Sequence, residues 1–213
     1  MNKPQVNFEE QSPMITMPPQ KVRVLKQSDK EGPHIELVTG SNFYYADPKW
    51  DIGAIAHSLS LICRFVGQCK KFYSVAEHSI LVSRIMEDMG LGDPMEGLMH
   101  DGVESVLADV PRPAKQMLKD YKALDKALDA TLRKQFALPE VMTEGCVKAD
   151  SIALAIEARE LMPNKGADYD LSDDVLLAAR KSTYMIVGWT SEDARGRFMT
   201  RMHDIRRRLR GLR

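Results

Sequence analysis

The segment SVAEHSILVSRIMEDMGLGDPMEGLMHDGVESVLAD, residues 74–109, opens on Ser74-Val-Ala-Glu77. This is a capping box, in which a serine hydroxyl and a glutamate carboxylate satisfy backbone N–H groups that a helix start would otherwise orphan. Asp93-Pro94 then supplies an N-cap and an N1 proline for a second helix running to about Asp109, where Val110-Pro111-Arg112-Pro113 enforces a break. Two helices in series set the pattern for the chain. Upstream, Ile52, Ile55, Leu59 and Ile62 recur at spacings of three or four and place an apolar face on a helix of about residues 52–66. Downstream, helices are expected at about 120–136, 140–162, 172–188 and 191–210, the last two introduced by Ser172-Asp173-Asp174 and Thr190-Ser191-Glu192. The alternating stretch His34–Val38 and the run Phe43-Tyr44-Tyr45, separated by Gly40-Ser41-Asn42, suggest a small hairpin at the edge. The expected fold is all-α, a helical bundle with a small N-terminal β-hairpin.

The chain has 213 residues, 44% hydrophobic and 28% charged, the makeup of one ordinary domain with a real core. Thirty basic residues balance thirty acidic ones, so the chain as a whole is not the polycation that non-specific nucleic-acid binding favours. Cys63, Cys69 and Cys146 form no C-x-x-C pair, which argues for a reducing compartment and against a disulfide framework. Glu9, Glu10 and four early prolines interrupt any signal-peptide core, and no later run approaches the roughly 18 apolar residues of a membrane span. A cytoplasmic protein without a membrane partner is expected. Residues 1–32 read as a flexible lead-in, 33–190 as the domain, and 191–213 as an arginine-rich helix packing on or extending it. From Arg195 to Arg213 eight arginines face one acid, Asp204. Such a run complements a helix C-terminus as a solvated face, or else offers a surface to a subunit or a polynucleotide.

The densest chemical signal is Leu98-Met-His100-Asp101-Gly-Val-Glu104, continuing to Asp109 and Lys115. On one helix, His100 and Glu104 are four apart and Asp101 and Glu104 three apart, so imidazole and carboxylates project toward one region. For an isolated His-Asp pair, a satisfied histidine on a solvated helix face is the commoner alternative. His78, 22 residues before His100, falls one helix earlier, and antiparallel packing of the two helices brings the rings together. Asp150 is a carboxylate in an otherwise apolar helical stretch, where a cation relieves the cost of burying charge. Two His and two Asp suit Mn²⁺, Co²⁺, Fe²⁺, Ni²⁺ or Zn²⁺ and leave positions for water and substrate. Asp101 is placed both to hold the metal and to accept from the attacking water. Lys115, after the Pro-x-Pro turn, either stabilises developing charge or is a solvated side chain.

The order His, His-Asp, Asp on successive helices resembles the HD-domain phosphohydrolase superfamily. The blocks IAHSLSLICRF, FYSVAEHSILVS and HDGVESVLADVPRPAK strongly resemble bacterial and phage HD hydrolases related to 5′-deoxynucleotidases, and phage dATP triphosphohydrolases, over about residues 35–190. The resemblance implies that His78, His100, Asp101 and Asp150 bind the catalytic metal, with further Mg²⁺ or Co²⁺ accompanying substrate phosphates. It implies that Glu104 is the catalytic glutamate, that Asp109 accepts from the sugar 3′-hydroxyl, and that Arg64 holds phosphate. Phe65 stands where the family usually has Trp, a wall that excludes a ribose 2′-hydroxyl. The implied activity is hydrolysis of a deoxynucleoside monophosphate to nucleoside and phosphate, by a homo-oligomer (dimer or hexamer) of a bacterial cell or its phage. The alternatives are a deoxynucleoside triphosphohydrolase releasing triphosphate, and a non-enzymatic module binding nucleic acid or a partner through the arginine-rich tail.

Overall fold

A computed structural model describes residues 32–209 and Gly211; apart from Gly32, the expected lead-in lies outside the described residues. The chain is all-α with one small hairpin. Strands β1 (His34–Glu36) and β2 (Asn42–Tyr44) pair antiparallel with Ile35 opposite Phe43. The helices are α1 (Ile52–Leu61), α2 (Val75–Met89), α3 (Pro94–Met99), α4 (Glu104–Leu107), α5 (Arg112–Met117), α6 (Lys119–Phe136), α7 (Glu144–Leu161), α8 (Asp173–Lys181) and α9 (Ser191–Leu209). Among the described residues no helix is long and apolar enough to cross a membrane.

α2 is the central rod. Val75, Ala76 and Ile80 join one apolar cluster with the hairpin, α1, α3, α6 and α9, while Leu81, Val82, Ile85 and Met86 join a second with α7 and α8. A helix buried on two faces must answer its polar side chains internally. Glu77 accepts from the backbone N–H groups of Val187 (3.0 Å), Gly188 (3.0 Å) and Trp189 (2.8 Å), and Ser83 accepts from Arg201 Nε (2.9 Å). The capping box is therefore half formed. Ser74 Oγ accepts from Glu77 N at 3.1 Å, but the Glu77 carboxylate turns away to hold the segment before α9.

Helix ends depart from periodicity where specific groups claim the backbone. α1 stops at Leu61, not residue 66, because Ile62 O accepts from Val75 N (3.0 Å) and Arg64 N donates to Tyr73 O (2.9 Å). The chain then passes through Phe65 (φ 56°) and Val66 (φ 54°), left-handed conformations that an aromatic and a β-branched residue adopt only under constraint. The helix expected over 94–109 breaks at 100–103: the Gly97 carbonyl, which the next α-turn would use, accepts from His100 Nδ1 at 2.8 Å. The turn tightens into i→i+3 bonds, Gly102 N to Met99 O and Glu104 N to Asp101 O. After the second break α5 forms, its prolines tolerated in the first turn. α8 ends at Lys181, not residue 188, since the N–H groups of 186–189 bond to Glu160 and Glu77. α7 begins at Glu144, not 140, where Thr143 Oγ1 caps Cys146 N at 3.2 Å.

α9 buries Ala194, Phe198, Met202 and Ile205 against α1 and α2. Its arginines are largely engaged with the same molecule: Arg201 reaches Ser83 and Glu87, Arg208 also pairs with Glu87, and Arg197 lies over Trp189 at 4.6 Å.

Candidate metal centre

Two helices and a turn supply the four candidate ligands: His78, His100 and Asp101 have ligand atoms within 4.8 Å of one another, and Asp150 approaches the histidines from outside that group. His78 comes from the second turn of α2, His100 and Asp101 from the turn between α3 and α4, and Asp150 from α7. α3 approaches α2 closely at Gly97, where an added Cβ would lie 3.0 Å from Ser83 Cα. His78 Nε2 lies 3.1 Å from His100 Nε2, 3.4 Å from Asp101 Oδ2 and 3.2 Å from Asp150 Oδ1. His100 Nε2 lies 3.3 Å from Asp101 Oδ2 and 3.9 Å from Asp150 Oδ1.

Both rings are held from behind. His78 Nδ1 is 2.5 Å from Glu157 Oε1 and His100 Nδ1 is 2.8 Å from the Gly97 carbonyl, so each Nδ1–H donates outward. Each neutral ring then presents an Nε2 lone pair to the shared point, where two carboxylate oxygens also converge. Four acceptors without a donor repel one another unless a cation or a proton lies among them. Without a metal, a proton takes that role: burial disfavours the His100 imidazolium, but Asp101 and Asp150 override it and push the group up to about 9. Burial likewise opposes ionisation of the aspartates, yet the histidines hold Asp101 far below the carboxylate range and His78 draws Asp150 down to about 2. His78, His100 and Asp101 could hold a divalent cation, each His fixed through its other nitrogen, with Asp150 alongside at 3.2 Å from His78 Nε2.

Beside His100 and Asp101 opens a cavity of about 320 Å³, walled by Glu104, Lys115 and the α6 residues Asp125, Lys126 and Asp129. Glu104 Oε1 accepts from Lys115 Nζ at 3.3 Å, while Oε2 is buried with no partner. Burial, reinforced by Asp101 and Asp109, keeps the Glu104 carboxyl protonated well above its usual range. Lys115 is thereby brought to the site, and Glu104 outweighs the burial that would depress its ammonium.

Arg64, Phe65 and Asp109 are not in that wall. Arg64 is turned inward, with Nη1 3.4 Å from Asp101 Oδ2 and Nη2 3.2 Å from Glu157 Oε2, and its Nε is buried and unpartnered. Phe65 packs with the α2–α7–α8 cluster, its ring 5.5 Å from the Arg64 guanidinium. Asp109 is half-buried and within electrostatic reach of Arg64, Asp101 and Lys115; burial raises its carboxyl. It follows Ala108, whose φ of 68° with ψ of 161° is a conformation nearly reserved for glycine.

No family model matches the chain. It is 35% identical over 174 residues to the uncharacterized protein YfdR of Escherichia coli (strain K12), a match covering 80% of this chain and 94% of that protein. The chain belongs to the YfdR family. A second relative, the uncharacterized protein RCAP_rcc00048 of Rhodobacter capsulatus, is 34% identical over 131 residues, covering 56% of this chain and 67% of its own length.

Glu157 and Tyr73 are the residues of the site that sequence reading missed. Glu157 is fully buried on α7, accepts from the Tyr73 hydroxyl at 2.9 Å, and contacts His78 and Arg64 as described. The available signal was its spacing: seven residues after Asp150, it shares that residue's helix face.

Proposed function

We propose that this member of the YfdR family is a divalent-metal-dependent phosphohydrolase of the HD-domain type, cleaving deoxynucleoside 5′-monophosphates to nucleoside and phosphate. The observation that carries the reading is the cluster of His78, His100 and Asp101, with Asp150 3.2 Å from His78, beside a cavity where Glu104 Oε2 is buried without a partner. These four residues would hold Mn²⁺, Co²⁺, Fe²⁺, Ni²⁺ or Zn²⁺. When bound, such an ion polarises a phosphoryl oxygen and acidifies water for attack on phosphorus.

The chain's own groups divide the remaining work. Asp101 accepts a hydrogen bond from the attacking water. Glu104, whose carboxyl is raised by burial well above its ordinary range, protonates the leaving sugar oxygen, and Lys115 at 3.3 Å steadies the carboxylate that remains. Arg64 carries positive charge beside Asp101, where negative charge grows on the phosphoryl oxygens. Asp109, within electrostatic reach of Arg64, Asp101 and Lys115, accepts from the 3′-hydroxyl, whereas Phe65 is packed with the α2–α7–α8 cluster outside the cavity wall.

A single phosphate suits the cavity better than three. Its wall carries the acids Asp101, Glu104, Asp125 and Asp129 against Lys115, Lys126 and Arg133, and Arg133 is already bound to Asp129 at 2.7 Å and Glu96 at 3.2 Å. Leaving Glu104 aside, three carboxylates face three cations, so the wall offers a triphosphate tail no excess of positive charge. Arg201 is buried against Ser83 and Glu87, and the exposed Arg197 and Arg208 are tied to Trp189 and Glu87, which supports a packing role for the arginine-rich helix over a nucleic-acid surface. The test is a panel of deoxy- and ribonucleoside mono-, di- and triphosphates with Mn²⁺ or Co²⁺, resolving nucleoside, phosphate and triphosphate. Nucleoside plus phosphate from deoxy monophosphates is expected; triphosphate release, or no turnover of any member, would defeat the reading.

A further inference from the structure

Glu157 stands behind the candidate centre without facing the shared point, and it reaches both His78 and Arg64 from that side. Oε1 contacts His78 Nδ1 at 2.5 Å and accepts from Tyr73 at 2.9 Å; Oε2 is 3.2 Å from Arg64 Nη2, an ion pair without a hydrogen bond. The residue is fully buried, and an isolated carboxylate there would be costly. Arg64 and His78, both within 3.2 Å, offset that cost. The dependence is mutual. Arg64 sits in a loop whose backbone is strained at Phe65 and Val66, and its other guanidinium arm reaches Asp101, 3.4 Å away. Its position is therefore set by two carboxylates, one proposed to bind the metal and one that does not.

We propose that Glu157 is a positioning residue that sets, from one side chain, the ring of His78 toward the metal and the guanidinium of Arg64 toward phosphate. This rests on the metal-dependent reading above. Holding the Nδ1 proton of His78 fixes which nitrogen faces the ion, and makes that nitrogen a better donor. Holding one arm of Arg64 keeps the group beside Asp101 and away from solvent, so phosphate meets a guanidinium already in place. Metal affinity and phosphate affinity should consequently fall together when Glu157 is changed, although it contacts neither ligand.

The experiment uses the full chain stripped with chelator, titrated with Mn²⁺ calorimetrically and with Co²⁺ by its visible spectrum, then with inorganic phosphate in saturating Mn²⁺. Glu157→Asp keeps a charge near Arg64 but withdraws the carboxylate by one methylene, about 1.5 Å. Mn²⁺ affinity should drop about 10–100-fold, the Co²⁺ bands should shift, and phosphate should bind more weakly, with the thermal midpoint close to wild type. Should Glu157→Asp fail to fold, Tyr73→Phe keeps every charge and removes one bond to Glu157; a roughly fivefold loss of Mn²⁺ affinity is expected, the equivalent of one hydrogen bond. A folded variant with wild-type Mn²⁺ affinity and an unchanged Co²⁺ spectrum would overturn the proposal, as would weaker Mn²⁺ binding with phosphate affinity untouched. A wild-type chain that binds no Mn²⁺ would instead remove the metal reading on which it rests.

Discussion

His78 and His100 turn their Nε2 atoms to within 3.1 Å of each other while both Nδ1 atoms face acceptors behind them. Helix packing alone has no reason to oppose two lone pairs in this way, whereas a cation between them turns repulsion into attraction. Asp101 Oδ2 lies within 3.4 Å of the Nε2 atoms of both rings, whereas Asp150 Oδ1 is 3.2 Å from His78 but 3.9 Å from His100. Asp101→Ala should therefore lose metal and turnover together, read by metal analysis and phosphate release on one preparation; full metal with near-normal hydrolysis would exclude Asp101.

Glu104 should behave differently because it lies beside the cluster without joining it. In Glu104→Gln metal should stay and the rate should fall by roughly 10²–10⁴, the range of general acid–base catalysis. Its raised folded value also fixes a sign for stability. The folded state holds a proton that the unfolded chain releases near the ordinary 4.5, so wild-type stability from this group falls as pH climbs above that value. Chemical denaturation in chelator should show Glu104→Gln gaining on wild type as pH rises from 5 toward 8, where numbers near 5 and 8 are about the limits of a stable buffer series; a pH-independent difference would remove the protonated glutamate.

Gly97 carries two duties, the close approach of α3 to α2 and the carbonyl that accepts from His100 Nδ1. A methyl group would meet Met86 Sδ at 2.7 Å and the Ser83 backbone at 3.0 Å. The methionine can yield but the backbone cannot, so Gly97→Ala should cost about 1–3 kcal/mol by denaturant unfolding and should weaken Mn²⁺ binding by separating the two rings. Unchanged stability and affinity would mean the helices have room to spare.

Ala108 gives the opposite expectation. Its φ of 68° and ψ of 161° suit glycine, so Ala108→Gly should relieve strain and raise stability by about 1 kcal/mol, despite the added freedom of the unfolded chain. A loss of thermal midpoint would show that the backbone before Asp109 is not strained.

Much of the fold was legible where a single residue dictates a helix start. Ser74, Asp93-Pro94 and Thr190 each stand where the structure begins a helix, and the hairpin pairs the alternating stretch at His34–Glu36 with the start of the aromatic run at Asn42–Tyr44. Ser172 precedes α8 as expected but donates to Asp174 and does not cap the helix. The ends were less legible because tertiary partners decide them. Nothing local announces that Glu77 would leave its capping box for the backbone at 187–189, or that His100 would take the Gly97 carbonyl from the helix. The four candidate ligands could be named from residue type and helix order, since chemistry restricts both. Glu157 could not, because one buried glutamate among thirty acidic residues is distinguished only by what the fold puts around it. The inward turn of Arg64 depends likewise on left-handed backbone at Phe65 and Val66, which side-chain patterning does not encode.

The most direct measurement is phosphate release from a deoxynucleoside monophosphate by the chelator-stripped chain as Mn²⁺ is added back stepwise. Turnover should be absent in chelator, rise with each addition, and level off as His78, His100, Asp101 and Asp150 fill, with no recovery in Asp150→Ala at the same Mn²⁺ concentrations. Turnover that is undiminished in chelator and indifferent to Mn²⁺, in wild type and Asp150→Ala alike, would contradict a metal centre at these residues.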